Sequence, residues 1–150
     1  MSDLGSFLDL QALGTDALRL SLAALLCGAI GFERERKERS AGLRTHMLVG
    51  VGACVFTLLM TVLVDLYDGD QVRADPIRMI GAITSGVAFL AAGAIIQAKG
   101  EVRGLTTGAS LWLSGAIGLA CGLGEFRIGI LAVVVTLLVL RGVKIIERHI

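Results

Sequence analysis

The polar side chains that could bind a ligand stand beside long apolar runs rather than within them. One set of acids, arginines and threonines flanks the ends of three such runs: Glu33, Arg34, Arg44, Thr45, Arg103, Thr106 and Thr107. Arginine side chains and helix N-termini both favour negative charge, so this set could bind an anion or a carboxylate of a partner protein. Anchoring to phospholipid headgroups, combined with helix capping, also explains these residues and is the commoner role of such arginines.

A second set of charged residues lies at the other ends of the runs, and its candidate metal ligands are Asp65 and Asp75. Carboxylate oxygens suit Mg²⁺ or Ca²⁺, but the spacing of these acids with Asp68 and Asp70 matches no EF-hand. A solvated acidic loop is therefore the simpler interpretation. Asp75 also precedes a proline, a pattern that predicts a helix N-cap with Arg78 close enough to pair with it.

Catalytic and nucleic-acid-binding motifs are missing from the sequence. It has two histidines and no GxSxG, HExxH or Walker pattern, so we expect no enzyme activity and no resident cofactor, with Mg²⁺ considered only as a ligand or transported ion. The 14 Lys and Arg residues balance 13 Asp and Glu, and no basic stripe suits nucleic acid. Cys27, Cys54 and Cys121 lie inside apolar runs and are expected to pack as small core residues.

The apolar runs have the length of membrane spans. Mean hydropathy is +0.79 and 18% of the residues are charged, values outside the usual range of soluble proteins. Because roughly 20 apolar residues cross a bilayer, the sequence predicts an all-α integral membrane protein that forms one domain over residues 1–150. We expect a compact bundle of five transmembrane helices at about 17–32, 47–64, 79–98, 105–123 and 128–146.

Basic residues predict the orientation of this bundle. Ten of them fall in the first loop, the third loop and the C-terminal tail: Arg34, Arg36, Lys37, Arg39, Arg44, Lys99, Arg103, Arg141, Lys144 and Arg148. The other side carries four arginines and most of the loop aspartates. By the positive-inside rule we expect the N-terminus outside the cell and the C-terminus in the cytoplasm. The acidic start, which has no Lys or Arg before Arg19, predicts no cleaved signal peptide.

Small residues form stripes on two of the predicted helices. The stripe on the third helix, with its flanking residues, comprises Gly81, Ser85, Gly86, Ala88, Ala92 and Gly93. On the fourth helix Gly118 and Gly122 form a GxxxG step. Small residues let helix backbones approach closely in lipid, so the stripes predict helix contacts within the bundle, or alternatively a close-packed dimer or a pore. Ile83, Val87 and Leu90 of the third helix are expected to face lipid.

A charged turn joins the first two predicted helices. Glu33 and Lys37 have the i,i+4 spacing of a favourable ion pair, so the first helix is expected to continue past its apolar run. Gly42 would end that helix in a left-handed conformation, and the hydroxyl of Thr45 would cap the next helix. The turn is thus predicted to form a corner at the face assigned to the cytoplasm.

Several blocks of the sequence resemble the MgtC/SapB family of bacterial inner-membrane proteins. They read GAIGFERE from Gly28, AGLRTHMLV from Ala41, GACVF from Gly52, DPIR from Asp75, SGVAFLAAG from Ser85 and VRGLTTGASLW from Val102. These blocks follow the order found in the family and cover residues 28 to about 124. The resemblance implies a five-helix domain in the inner membrane, a link to growth under magnesium limitation and, in pathogens, a link to virulence.

The resemblance also implies how the protein acts. The best known members of the family act on other membrane complexes, including the F-type ATP synthase, and other members are named magnesium transporters. We therefore expect a modulator of a larger complex, such as an ATP synthase or a P-type ATPase, that forms homo-oligomers with a dimer favoured. A transporter or channel for Mg²⁺ or another ion is the alternative, less favoured because no acidic residue lies in the middle of a predicted helix.

Two departures from the family pattern limit what can be carried over. Longer members have a cytoplasmic C-terminal domain after the membrane part, whereas this sequence ends at Ile150, so functions of that domain are not expected here. In the Gly-rich block of the family, Ala88 and Ala91 stand where other members have glycine. The added methyl groups are expected to loosen any packing that needs direct backbone contact.

Overall fold

The computed structural model describes residues 10–67, 75–98 and 101–147. These residues form five helices and a short hairpin: α1 (Leu10–Glu35), α2 (Leu43–Tyr67), α3 (Pro76–Gly93), β1 (Ile96–Ala98), β2 (Glu101–Arg103), α4 (Leu105–Leu123) and α5 (Phe126–Glu147). Among the described residues, the four helices α1 to α4 are long and apolar enough to cross a membrane. The predicted five-helix architecture is confirmed, with α1, α2 and α5 longer than their apolar runs.

Helix α4 occupies the centre of the bundle and contacts each of the other four helices. Its residues Ile117 and Cys121 join Cys27 and Ile30 of α1 and Cys54 of α2 in the main core cluster. The three cysteines are buried and free, which confirms that they pack as small core residues. A central helix with partners on every side needs small side chains on several faces, because each neighbouring backbone has to approach it.

The contact between α2 and α4 depends on glycine. A Cβ atom on Gly118 would collide with the backbone of Gly50, including its carbonyl oxygen. One turn further along α4, a Cβ atom on Gly122 would lie 2.5 Å from Cβ of Thr57. The GxxxG step of α4 therefore lies directly against α2, where the missing side chains let the two backbones approach.

Helix α3 turns its small residues outward, which corrects the interpretation that they pack against other helices of this chain. Six residues form this exposed surface, which we call the small-residue face of α3: Gly81, Ser85, Gly86, Ala88, Ala92 and Gly93. The buried residues of α3 are instead Val87 and Ala91. A Cβ atom on Gly115 of α4 would meet both methyl groups of Val87 at 2.9 Å. A valine packed against a glycine makes more van der Waals contact than two small residues facing each other, which favours this rotation of the helix.

Helix α3 ends at Gly93 rather than at the predicted residue 98. Its C-cap is Ala94, and Ile96–Ala98 then pairs with Glu101–Arg103 as a two-stranded antiparallel hairpin. Consecutive isoleucines followed by a Lys-Gly pair favour a strand and a turn over further helix. The prediction was wrong here because an apolar run does not by itself distinguish a helix from a strand.

Gly104 connects the hairpin to α4. Its φ of 88° lies in the left-handed region, and a Cβ atom at this position would collide with the carbonyl oxygen of Ala94. Both constraints require glycine. The residue thereby places the first turn of α4 beside the end of α3.

The corner between α1 and α2 differs from its predicted form. Helix α1 ends at Glu35, and Glu38 with a φ of 52°, rather than Gly42, adopts the left-handed conformation. Helix α2 begins at Leu43, whose N–H donates a hydrogen bond of 2.6 Å to Oε2 of Glu35. Thr45 is exposed and cannot act as the N-cap, because the helix has already begun before it. The carboxylate of Glu35 takes that role.

Large apolar side chains cover the outside of the helices. Leu25 of α1, Phe56 of α2, Phe89 of α3 and Leu138 of α5 are all exposed. In water such an apolar surface would be unfavourable, whereas the hydrocarbon of a bilayer accepts it without cost. The exterior of the bundle thus agrees with the lengths of the four candidate spans.

Candidate functional site

Buried polar residues gather at one end of the bundle, which we call the basic end. Its basic residues include Arg34, Arg36, Lys37, Arg39, Arg44 and Arg103. The deepest of them is Arg34 near the end of α1, whose Nη2 donates a hydrogen bond of 3.0 Å to Oγ1 of Thr107 on α4. Arg34 is 4% exposed and Thr107 is 2% exposed. Two members of the predicted polar cluster therefore meet inside the protein rather than at its surface.

Arg34 keeps part of its hydrogen-bonding capacity unused. Its Nε atom is buried and has no acceptor among the described residues. Leaving a buried donor unpaired costs about 1–3 kcal/mol. Arg34 therefore has one donor, Nε, left for a further acceptor in addition to the hydrogen bond with Thr107.

Glu33, the neighbour of Arg34, forms an ion pair with Lys37, which confirms the predicted i,i+4 pair. Glu33 is 3% exposed, and apart from this ion pair its carboxylate oxygens accept no hydrogen bond within the described part of the chain. Lys37 Nζ also donates a hydrogen bond of 3.3 Å to the carbonyl oxygen of Leu140 on α5. Lys37 thus neutralises a buried carboxylate and ties the end of α1 to α5.

A cavity of about 530 Å³ opens at the basic end. Its lining consists of Arg34, Lys37, Arg39, Val102, Gly104, Leu105, Thr106, Thr107, Val139 and Leu140. One wall carries three cationic side chains, a second is the first turn of α4, and a third is the apolar surface of α5. We call it the basic-end cavity. The N-cap residue of α4 is Gly104, which has no side chain to cap the N–H groups of that first turn.

Only part of the predicted polar cluster lines this cavity. Arg34, Thr106 and Thr107 line it, whereas Glu33 is buried and lies outside its lining. Arg44 and Thr45 are exposed on the first turn of α2 and do not line it. Arg103 is exposed at the end of β2, next to two lining residues in the chain. The sequence therefore grouped residues that the fold separates into a buried set and an exposed set.

A buried polar contact between α2 and α4 escaped the sequence analysis. The ring of His46 is fully buried, with Nδ1 2.8 Å from the carbonyl oxygen of Gly42 and Nε2 3.0 Å from Oγ of Ser110. The usable signal was on α4, where Ser110, Ser114 and Gly118 repeat at i,i+4 and mark one buried face. This contact fixes the starts of the two helices beside the Arg34 hydrogen bond.

Arg19 stabilises the opposite end of α4. Its Nη1 atom donates a hydrogen bond of 3.0 Å to the carbonyl oxygen of Gly122, in the last turn of that helix. A cation at this position offsets the negative end of the helix dipole. Because 103 residues separate the two partners, no local pattern in the sequence indicated the contact.

The predicted metal ligands do not form a cluster among the described residues. Asp75 caps α3 as predicted: its Oδ1 accepts a hydrogen bond of 3.1 Å from the N–H of Arg78, and its Oδ2 lies 3.8 Å from Nε of the same residue. Asp65 is exposed near the end of α2. Within residues 10–67, 75–98 and 101–147, no three His, Cys, Asp or Glu side chains are grouped to hold a metal ion. Asp68 and Asp70 lie outside those ranges.

An apolar exterior, four helices long and apolar enough to cross a membrane, and polar groups buried at the helix ends define a multi-pass helical membrane protein, which has the lipid bilayer as its surroundings. Comparison with known families then identifies it more closely. The sequence pattern of the MgtC family matches residues 20–149, and the chain belongs to this family. The resemblance inferred from the six sequence blocks is thereby confirmed.

Several curated proteins are similar to this chain. YhiD of Escherichia coli K12, described as a candidate magnesium transporter, is 43% identical over 124 residues, which are 82% of this chain and 58% of YhiD. MgtC of Salmonella typhimurium LT2 is 46% identical over 118 residues, 77% of this chain and 47% of that protein. MgtC of Brucella abortus is 45% identical over 114 residues, 76% and 45% of the two chains. The chain thus spans about half the length of these relatives. No solved structure matches it.

Proposed function

We propose that this protein modulates another membrane complex, which it contacts through the small-residue face of α3. The proposal places it in the bacterial inner membrane with its C-terminus in the cytoplasm and links it to magnesium homeostasis, because its relative YhiD is described as a candidate magnesium transporter. The observation that carries the proposal is the exposure of the small-residue face.

Helix α3 packs on α4 and, less extensively, on α2. Cβ atoms on Gly81, Gly86 and Gly93 would meet no atom of another described element within 4 Å. A surface that only faces lipid gains nothing from small residues, whereas a helix–helix interface does, because small residues admit the backbone of a second helix. The small-residue face therefore suits a helix from another chain, either a second copy or a subunit of a larger complex.

An apolar groove beside this face enlarges the surface available for docking. It has a volume of about 420 Å³ between α2 and α3 and is lined by Leu48, Val49, Gly52, Ala53, Phe56, Ala82, Ile83, Gly86, Val87 and Leu90. Gly86 belongs both to the groove and to the small-residue face. An apolar groove continuous with small residues favours a transmembrane helix as the partner, since such a helix buries no polar group there.

Ala88→Leu is expected to reduce the contact with the partner several-fold, because a leucine side chain would hold the incoming backbone away from α3. The measurement is site-specific photo-crosslinking from position 85 of the full chain in native membranes, followed by identification of the adducts. We expect adducts with a subunit of a membrane complex, and a lower yield in the Ala88→Leu background. Arg44→Glu tests whether the exposed arginine at the basic end adds a polar contact to the same partner.

The matched control is Ala29→Leu, which adds the same side chain at an exposed position of α1. It should leave the crosslinking yield unchanged. Adducts between two copies of this chain alone would support the expected dimer and contradict modulation of another complex through this face. Equal losses from Ala88→Leu and Ala29→Leu would show that the face has no special role.

A transporter or channel for Mg²⁺ or another ion is the second candidate, favoured by the description of YhiD. Asp75, exposed where α3 begins, would be its outer selectivity residue. Against it, the runs 47–64, 79–98 and 105–123 contain no charged residue, whereas ion paths usually place ionisable groups near the midplane.

Transport predicts that the purified protein takes up Mg²⁺ into liposomes and that Asp75→Asn reduces the rate. Asparagine is as good an N-cap as aspartate, so a lower rate would report the lost charge rather than a damaged α3. Uptake that is equal to protein-free liposomes would contradict the transporter and leave modulation as the remaining candidate.

A further inference from the structure

We propose that the basic-end cavity binds a phosphate group, carried either by an anionic lipid or by a soluble anion. The cavity is separate from the small-residue face of α3, so this ligand site goes beyond the proposed contact with a partner. It is assigned from three independent features of its walls: their charge, their unused hydrogen-bond donors and their apolar part.

The charge of the walls is positive and only partly balanced. Of the three cations that line the cavity, Lys37 is paired with the buried carboxylate of Glu33. Neither Arg34 nor Arg39 forms an ion pair with a carboxylate of the described residues. Two guanidinium groups are thus left to balance the charge of a ligand, and a phosphate group has several oxygens that can accept from two arginine forks at once.

The donors around the cavity belong to two different helices, α1 and α4. Nε of Arg34 is buried without an acceptor, in a side chain that is 4% exposed and lines the cavity. The first turn of α4 contributes backbone N–H groups that follow an N-cap without a side chain, together with the hydroxyl of Thr106. A helix N-terminus combined with a buried, unsatisfied arginine suits a tetrahedral anion better than a planar carboxylate, which reaches fewer donors.

The remaining wall indicates what the phosphate group is attached to. Val102, Leu105, Val139 and Leu140 give the cavity an apolar side, and the volume of about 530 Å³ exceeds what an inorganic phosphate ion requires. The glycerol backbone and the first acyl carbons of a phospholipid would fill this side. A soluble phosphate ester with an apolar moiety has the same chemistry, so the experiment has to separate these two sources.

The test uses the full chain, purified in detergent and freed of lipid, with thermal unfolding followed by the fluorescence of Trp112. In one arm sodium phosphate is titrated against sodium chloride at equal ionic strength. In the other arm phosphatidylglycerol is added to the micelles and compared with phosphatidylcholine. A rise in melting temperature with phosphate alone assigns a soluble source, and a rise with phosphatidylglycerol alone assigns a lipid; a rise in both supports the shared chemistry.

Arg39→Gln is expected to weaken the apparent affinity in the responding arm about tenfold, the loss of one charge-assisted hydrogen bond. Arg39 is exposed, so the variant should fold. Thr106→Val, also exposed, should weaken binding less. The matched control is Arg44→Gln, which removes the same charge from the same end outside the cavity lining and should leave binding unchanged. No response to either source, or equal losses from Arg39→Gln and Arg44→Gln, would overturn the proposal.

Discussion

Alanine at position 50 is expected to destabilise the bundle by about 1–3 kcal/mol, the usual range for overpacking. The new Cβ atom would collide with Sγ of Cys27 and lie 3.3 Å from the carbonyl oxygen of Ala23, both on α1. On its other side, the backbone of Gly50 touches Gly118 of α4. Helix α2 therefore cannot move away from α1 without pressing on α4. The free energy of unfolding in mixed micelles with an ionic detergent measures the loss.

The control for this prediction lies two residues further along the same helix. A Cβ atom on Gly52 would meet no atom of another helix within 4 Å in the part of the chain that the structure describes, so Gly52→Ala should be neutral or slightly stabilising, because alanine is the better helix former. Gly118→Ala should also destabilise the bundle, since its Cβ atom would collide with the backbone of Gly50 from the side of α4. Equal stability of the Gly50→Ala and Gly52→Ala variants would show that the α1–α2–α4 contact is looser than the structure indicates.

The second large effect is expected at Lys37. Lys37→Met removes the only cation that pairs with the Glu33 carboxylate in the described residues and leaves that buried charge without compensation. Breaking a buried ion pair from one side typically costs about 3–5 kcal/mol. Because Lys37 is 26% exposed, we expect a loss near the lower end of that range, measured as unfolding free energy in buffer without phosphate.

Two further variants separate the ion pair from a general effect of lost charge. The double variant Glu33→Gln, Lys37→Met should recover most of the stability, because it removes the unpaired carboxylate together with its partner. Arg36→Met, one residue away, removes an exposed cation that lies 5.8 Å from the ring centroid of Phe32 and should cost little. If Arg36→Met destabilised the bundle as much as Lys37→Met, the buried pair would not be the cause.

The helices were predictable because lipid imposes a simple rule on the chain. A run without charges that is long enough to cross a bilayer has to satisfy its backbone internally, so the runs at 47–64 and 105–123 predicted α2 and α4 closely. The rule fails where the run ends. Ile96–Ala98 belongs to the same uncharged run, 79–98, as most of the helix before it, yet forms a strand, because pairing with Glu101–Arg103 satisfies the same backbone groups.

The orientation of a helix about its own axis was the hardest part to predict. The stripes on α3 and α4 both place small residues four positions apart, but Gly118 and Gly122 face inward while Gly81 and Ser85 face outward. Both arrangements satisfy the pattern. Only the neighbours decide between them, here through the fit of Val87 against α4.

The candidate site was only partly predictable, because the sequence indicates which helix end a residue lies at but not which residue of another helix it contacts. Proximity to helix ends grouped Glu33, Arg34 and Thr107 correctly at one end of the bundle, because hairpins of spanning helices return to the same membrane face. The pairing of Arg34 with Thr107 across 73 residues depends on how α1 and α4 pack. The chain order carries no record of that packing, which is also why the contact between His46 and Ser110 was missed.

The central place of α4 has a consequence for biogenesis. Membrane helices enter the bilayer in chain order, and α4 is the fourth of the five described helices. α1 and α2 can associate before it arrives, but α3 has its main contact with α4. Until that helix is inserted, Arg34 lacks Thr107 and His46 lacks Ser110. The fourth helix therefore joins three earlier helices at once, and without it Arg34 and His46 lack these buried partners.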